Sequence, residues 1–541
     1  MMHAPRYILV LLCLLAPSLA FAEDLYFGQS AAGGDTGANC ANQHSAAWFN
    51  TAANWGGGAG EIDAGDTAHL CGTVTTALVV QGSGSAGNVI TIVWETGAKL
   101  SLPFCDNSGG CFHFGIHDYV TLDGGTNGIL EANANGTGLA NQVDGNAINV
   151  VLGNQNIEIK NLTIQNCYVR AQNDATSGLD HARSIYLREN YSNFSYHDNT
   201  IHDCDGGGSF VAEVTTSNIS IYNNNIYNVN AGIVMAGQSA ITSSNISIYN
   251  NHIHDTANWD DPANIFHHNG IMLFGPPVAC CASATIYSGV KIYNNLFDGN
   301  IGDHATSHSV YLAEAQLPDG LIFNNVVAPS NNPLSANGLF VIGPYVSDVS
   351  LYNNTIVCAS SGANPSAVEM ASAADTGSTF HFKNNLVIDC TAFMTFNQPN
   401  TWFAVDGLNY NLYAKSSANS SWKLQTTFYS TLAAWRTATG QEANSQYTAG
   451  SAGLNASYQP ETGSIVINAG QNLSSLGITE LNSDKAGLSR PQGSAWDIGA
   501  YEFDQGGSGQ SPNPPGASYT SGNRASTGIR PLARAGQRPV R

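Results

Sequence analysis

A short phrase returns through the middle of the 541-residue chain: apolar, any, apolar, aromatic, Asn, Asn, any, apolar. It stands as ISIYNNNI from Ile219, ISIYNNHI from Ile246, VKIYNNLF from Val290 and VSLYNNTI from Val349, with looser copies from Ile157, Phe194, Gly320 and Phe380. The first Asn position falls at 161, 198, 223, 250, 294, 324, 353 and 384, with Asp198 filling the second of these. Most steps have the length of one supersecondary unit that buries a face only by stacking on its neighbours. The two longest, 37 and 44 residues, imply inserted loops. Each phrase alternates apolar and polar residues, reaches the Asn pair and resumes an apolar run, which reads as strand, sharp bend, strand. Asn tolerates the left-handed conformation of such a bend, and its amide can bond the Asn of the coil above or below.

A third strand lies between the phrases. It runs RSIYLRE from Arg183, GSFVAEV from Gly208, AGIVMAG from Ala231, NGIMLFG from Asn269, HSVYLAE from His308, NGLFVIG from Asn337 and SAVEMAS from Ser366. Alternation puts Ile185, Phe210, Ile233, Ile271, Val310, Leu339 and Val368 inward, and Tyr186, Val211, Val234, Met272, Tyr311, Phe340 and Glu369 outward. Three parallel strands per turn describe an all-β, right-handed parallel β-helix with inserted loops.

Together with an opening DLYFGQSAAGGDTGANCAN from Asp24 and a closing SRPQGSAWDIGAYEF from Ser489, the repeats resemble the pectate-lyase-like superfamily of secreted β-helices over about residues 25 to 503. The resemblance implies the fold. It matches no catalytic signature of a single pectinase, alginate lyase or glycosidase family.

The ends differ in kind from the middle. Arg6 precedes an apolar run from Tyr7 to Ala16, and small residues at Ala20 and Ala22 suit a signal peptidase, so residues 1–22 read as a signal peptide cleaved after Ala22. No later apolar stretch is long enough to span a bilayer, and the mature chain is expected to be secreted or periplasmic. Residues 23–118 read as an N-terminal cap and opening coils, 119–400 as central coils, 401–505 as C-terminal coils and closing segment, and 506–541 as a Gly/Pro/Ser-rich basic tail without apolar periodicity. Setting aside the six Arg of leader and tail leaves 12 basic against 39 acidic residues in the body. Such a surface excludes nucleic acid as a partner. The reading is of a monomer.

Eleven Cys become ten once Cys13 leaves with the signal, an even number suited to an oxidising compartment. Cys105 and Cys111 enclose a short loop and form the first expected bridge. Cys40 with Cys71, and Cys358 with Cys390, are further pairings. Register stacks Cys167 on Cys204, as an intercoil bridge or a reduced ladder. Adjacent Cys280 and Cys281 lack zinc-knuckle spacing.

Outward ladders repeat about every 4.8 Å, so seven coils make a face about 30 Å long, which suits a polysaccharide. Tyr186, Tyr311 and Phe340 are candidates for sugar stacking, unless loops cover them, and Glu213 and Asn269 are further substrate-binding candidates. Chemistry-bearing residues flank the same column: Asp260, Asp261, His267 and His268 before one strand, Asp303, His308 and Glu314 around the next, and Arg183 and Arg188 with Asp180 and His181 earlier. Glycoside hydrolysis uses two carboxyl groups, here Asp260 and Asp261 with Asp303, Glu314 or Glu213 opposite. Lyase β-elimination uses a base and a cation instead, here Arg183, Arg188, His267, His268 or His308, with acidic residues holding Ca²⁺. The acidic body leans towards hydrolysis of a neutral or weakly charged glycan. The competing non-catalytic reading is a carbohydrate-binding or adhesion β-helix, in which Asp260 and Asp261 only start a turn before Pro262 and Arg188 only pairs with Glu213. His202, His252 and His254 read as solvent-facing or stacked turn residues, and the metal position is left open.

Overall fold

The computed structural model describes residues 22–506 except 173, 175–181, 239, 261–267, 277–284, 301–307, 329–339, 344–345, 347, 359–365, 371–378 and 416–420. Its strands join in one continuous parallel system wound into three sheets. In a typical coil the first sheet takes Thr216–Tyr222, the second Asn225–Ala231 and the third Ile233–Gly237. Each strand pairs in parallel with its counterpart one coil on, as Ile219 does with Ile246, Ile226 with Ile253 and Ile233 with Ile271. Parallel crossovers of twisted strands run right-handed. The chain is a right-handed parallel β-helix.

The two Asn of each phrase divide the work. The first adopts a left-handed backbone at 161, 223, 250, 294, 324, 353 and 384, with φ between 51° and 58°, and so bends the chain from the first sheet into the second. The second points inward and builds a buried ladder through Asn199, Asn224, Asn251, Asn295, Asn325, Asn354, Asn385 and Asn411. Each amide donates to the next Asn Oδ1, at 3.0–3.3 Å, and to a carbonyl one coil back, as Asn251 does to Ile221. The polar spine is thereby satisfied inside an apolar core, which is the condition for burying amides without penalty. At its C-terminal end Asn411 donates to buried Glu442, whose carboxyl also receives the Tyr413 hydroxyl at 2.6 Å and the Ser445 hydroxyl. Burial raises the Glu442 pKa above the carboxylate range, against the lowering effect of those donors.

Inward rows of Ile, Val, Leu and Phe fill the bore from Phe27 to Trp435 in one cluster. A short N-terminal helix, Ala46–Phe49, stacks Phe49 on Phe27 and closes one end. At the other, the helix Leu432–Thr439 starts on a Thr431 cap, stops at left-handed Gly440 and sets Trp435 against Phe403 and Tyr429. Residues 450–503 then run back over the outside of the solenoid. Leu473, Leu481 and Trp496 cover Phe323 and Tyr352 on the first sheet, and Ala500 and Tyr501 cover Val326 on the second. This arm fastens to the bend asparagines: Asn324 donates to the Ser483 carbonyl, Asn353 to those of Asp497 and Gly499, and Asn384 to that of Gln471.

Four disulfides are present among the described residues: Cys40–Cys71, Cys105–Cys111, Cys167–Cys204 and Cys358–Cys390. All three proposed pairings form, and the Cys167–Cys204 stack is a bridge between coils. Cys280 and Cys281 lie outside the described residues. No described helix is long and apolar enough to cross a membrane.

Candidate active site on the third sheet

The outward face of the third sheet is fixed by its pairing. One row runs His113, Asn149, Tyr186, Ser209, Val234, Met272, Tyr311, Val341 and Glu369. The neighbouring row runs Arg188, Val211, Ala236, Phe274 and Ala313. Two corrections follow. Phe340 pairs with Val310 and Val368, lies fully buried in the core and is no sugar platform; Val341 takes the outward place. Leu339, Phe340, Val341 and Ile342 are all apolar, so alternation could not set the register, and a one-residue slip exchanges the faces. Phe210 aligns with Leu187 and Met235, two residues from the expected match, which leaves it buried but moves Ser209 beside Tyr186.

The chemistry concentrates where the second sheet turns into the third. A 3₁₀ turn, Ala257–Trp259, buries Trp259 beneath the Arg170 guanidinium, 5.3 Å from the ring centre, and bonds its indole N–H to the Asn228 carbonyl at 3.0 Å. That anchor places buried Asp260, the next residue, with Oδ1 3.0 Å from Nε2 of buried His268. Asn269 follows, fully buried; its Oδ1 accepts the His308 backbone N–H at 3.1 Å and so ties this coil to the next. The His308 ring lies 5.2 Å from that of Tyr311. Burial, then the charge of Glu314, raises the Tyr311 hydroxyl pKa and keeps it a donor. Glu314 ends this strand in a left-handed conformation and is half-buried.

Asp260, His268 and Asn269 thus lie at the entry to one third-sheet strand, Asn269 links them to His308 on the next coil, and Tyr311 and Glu314 follow along that second strand, with Glu314 at its far end. Arg183, Tyr186, Arg188 and Glu213 form a separate group nearer the N-terminus, since Tyr186 and Tyr311 are four coil steps, about 19 Å, apart along the row. There the Arg183 guanidinium lies 5.3 Å over the Tyr186 ring, and Arg188 Nε donates to Glu213 at 2.6 Å. Asp261, His267 and Asp303, with Asp180 and His181, lie outside the described residues.

Three sheets per coil, parallel apart from the C-terminal hairpin Ser421–Leu424 with Thr427–Tyr429, and a buried Asn ladder at one corner settle the architecture. The fold is a parallel β-helix. This β-helix is similar to the crystal structure of pectate lyase Pel9A, with a TM-score of 0.41 and 13% identity over 90% of this chain and 97% of that one. It is also similar to the structure of XylC in complex with xylose, with a TM-score of 0.40 and 12% identity over 75% of this chain and 86% of that one. No family model and no curated protein matches the sequence.

One pair of residues escaped the sequence reading, and one group was read differently. His113 and Asn149 extend the outward row; burial lowers the His113 pKa, against the raising charge of Asp106, and its alternation signal was a lone FHF. His252 and His254, read as solvent-facing or stacked turn residues, are stacked but lie on a second-sheet strand rather than in a turn, and come together there with Asp298.

Proposed function

We propose that the β-helix is an exported enzyme that cleaves a polysaccharide laid along the outer face of the third sheet. The observation that supports this reading is the distribution of Asp260–His268 and Asn269, and on the next coil of His308, Tyr311 and Glu314, along a face whose remaining rows are largely apolar. An imidazole beside a carboxylate suits proton transfer, and a phenol beside a carboxylate is a donor. Asp260 and Glu314 are the described candidates for the carboxyl groups of glycoside hydrolysis, and Asp261, His267 and Asp303, which lie outside the described residues, are the remaining candidates. Asn269 positions His308, and Tyr186, Tyr311 and Glu213 meet flanking sugars.

Hydrolysis of a neutral or weakly charged glycan is favoured because Arg188 is committed to Glu213 and Arg183 to the Tyr186 face. A calcium-assisted lyase remains the second reading, since imidazoles accompany the carboxylates. Four disulfides among the described residues support export to an oxidising compartment.

The test is a panel of neutral and uronate glycans incubated with the mature protein, with and without chelator, following reducing ends and ultraviolet absorbance. New reducing ends without unsaturation support the hydrolase. Unsaturated ends that disappear with chelator support the lyase, and no cleavage of any glycan defeats the enzymatic reading.

A further inference from the structure

On the second sheet, away from the proposed cleft, the strand His252–His254 presents both imidazoles on its outer face, because side chains two residues apart share a side. Their rings stack with centroids 4.2 Å apart. The next coil places Asp298 in register with His254, and Asp298 Oδ1 is 2.7 Å from His252 Nε2. One nitrogen from each His and one Asp298 oxygen all lie within 4.8 Å of one another. The three side chains keep 18–33% of their surface exposed, so an ion can reach them from solvent.

A second, independent arrangement points the same way. His254 Nδ1 is 2.6 Å from Asp255 Oδ2, and Asp255 is itself held by the Asn300 backbone N–H at 2.8 Å. A carboxylate that receives one imidazole N–H orients the ring and leaves the other nitrogen, Nε2, as the ligand atom. In the metal-free protein Nε2 lies 3.2 Å from the acceptor Asn225 Oδ1, a contact in which it carries a proton that an incoming cation displaces. Two imidazoles, one carboxylate and an orienting second carboxylate make a donor set for a borderline divalent ion of the zinc class, and a poor one for Ca²⁺, which takes six or more oxygens.

We propose that His252, His254 and Asp298 form a binding site for a divalent transition-metal ion, with Asp255 orienting His254. Because Asp298 comes from the following coil, the ion clips two turns of the solenoid together. Its purpose is structural and independent of the glycan chemistry.

The experiment uses the full mature chain stripped with chelator and then titrated with Zn²⁺ by calorimetry, with Co²⁺ as the spectroscopic probe. One equivalent should bind, raise Tm and, with Co²⁺, give the visible absorption of a low-coordinate N/O site. His254→Ala and Asp298→Asn should each abolish the equivalent, Asp255→Asn should weaken it by about tenfold or more, and His202→Ala, separated from His254 by the stacked Tyr227 ring, should leave it intact. Metal-free Tm values of all variants show whether they fold. Absence of Zn²⁺ binding to the wild type, or binding that survives both His254→Ala and Asp298→Asn, overturns the proposal.

Discussion

Asn295 makes four hydrogen bonds through one fully buried side chain: it donates to Ile248 O and Asn325 Oδ1 and accepts from the backbone and side-chain N–H of Asn251, all at 3.0–3.1 Å. Asn295→Ala strips partners from two neighbouring coils at once. Stability in urea should fall by on the order of 3 kcal/mol, since each buried group left without a partner costs about 1–3 kcal/mol. Asn294 beside it acts through its backbone, so replacing it with Gly should be nearly neutral by the same measurement. At the proposed active site, Asp260→Asn and Glu314→Gln should each lower kcat by at least about a hundredfold, read from initial rates on the glycan that the panel identifies at a temperature where both variants are folded, with little change in Tm expected for Glu314→Gln. Retained rates in both variants would remove them from the reaction. His268 and Asp260 were legible as neighbours in sequence. Their 3.0 Å approach was not, because it depends on Trp259 locking the turn. Phe340 shows the limit from the other side: within four consecutive apolar residues nothing local says which faces the core.

The arm is the element that composition could not reveal. The phrase around Arg490 and Glu502 was visible as a terminator, but nothing in its pattern states that it doubles back over the bend asparagines. Arg490 and Glu502 form a fully buried pair at 2.6 Å, and Arg490 also donates to Asn324. Glu502→Gln leaves that guanidinium without its charge partner and should destabilise the protein by about 3–5 kcal/mol in urea unfolding. The arm's other charges give it a pH signature. Burial, reinforced by Glu502, pushes the Asp497 carboxyl up to about 6, and burial also raises Asp484. Unfolded carboxyls lose their protons near pH 4, so the docked arm holds protons longer and weakens as pH rises from about 4 to 6. Lys485 works in the opposite sense: burial lowers its ammonium to about 7, so the docked arm sheds that proton before the unfolded chain does, and stability returns as pH climbs above 7. Docking should therefore be weakest between about pH 6 and 7. Trp496 fluorescence through urea titrations at stepped pH measures it, and a monotonic pH dependence would contradict this balance.

At the scale of the molecule, the spaced repeat made the solenoid legible because every copy carries the same two tasks, a left-handed bend and an inward amide. The intercoil bridges follow from the same register. Reduction of Cys167–Cys204, or its replacement by a Ser pair, should cost about 2–4 kcal/mol, measured by urea unfolding under identical buffer. What the repeat could not convey is how the coils are held beyond their nearest neighbours. A stack bonded only one turn to the next can fray from either end, turn by turn. Here the returning arm reaches Asn294, Asn324, Asn353 and Asn384 in successive coils. A pull on the C-terminus meets that strap first, so the solenoid should resist extension until one abrupt release and only then unwind by single coils.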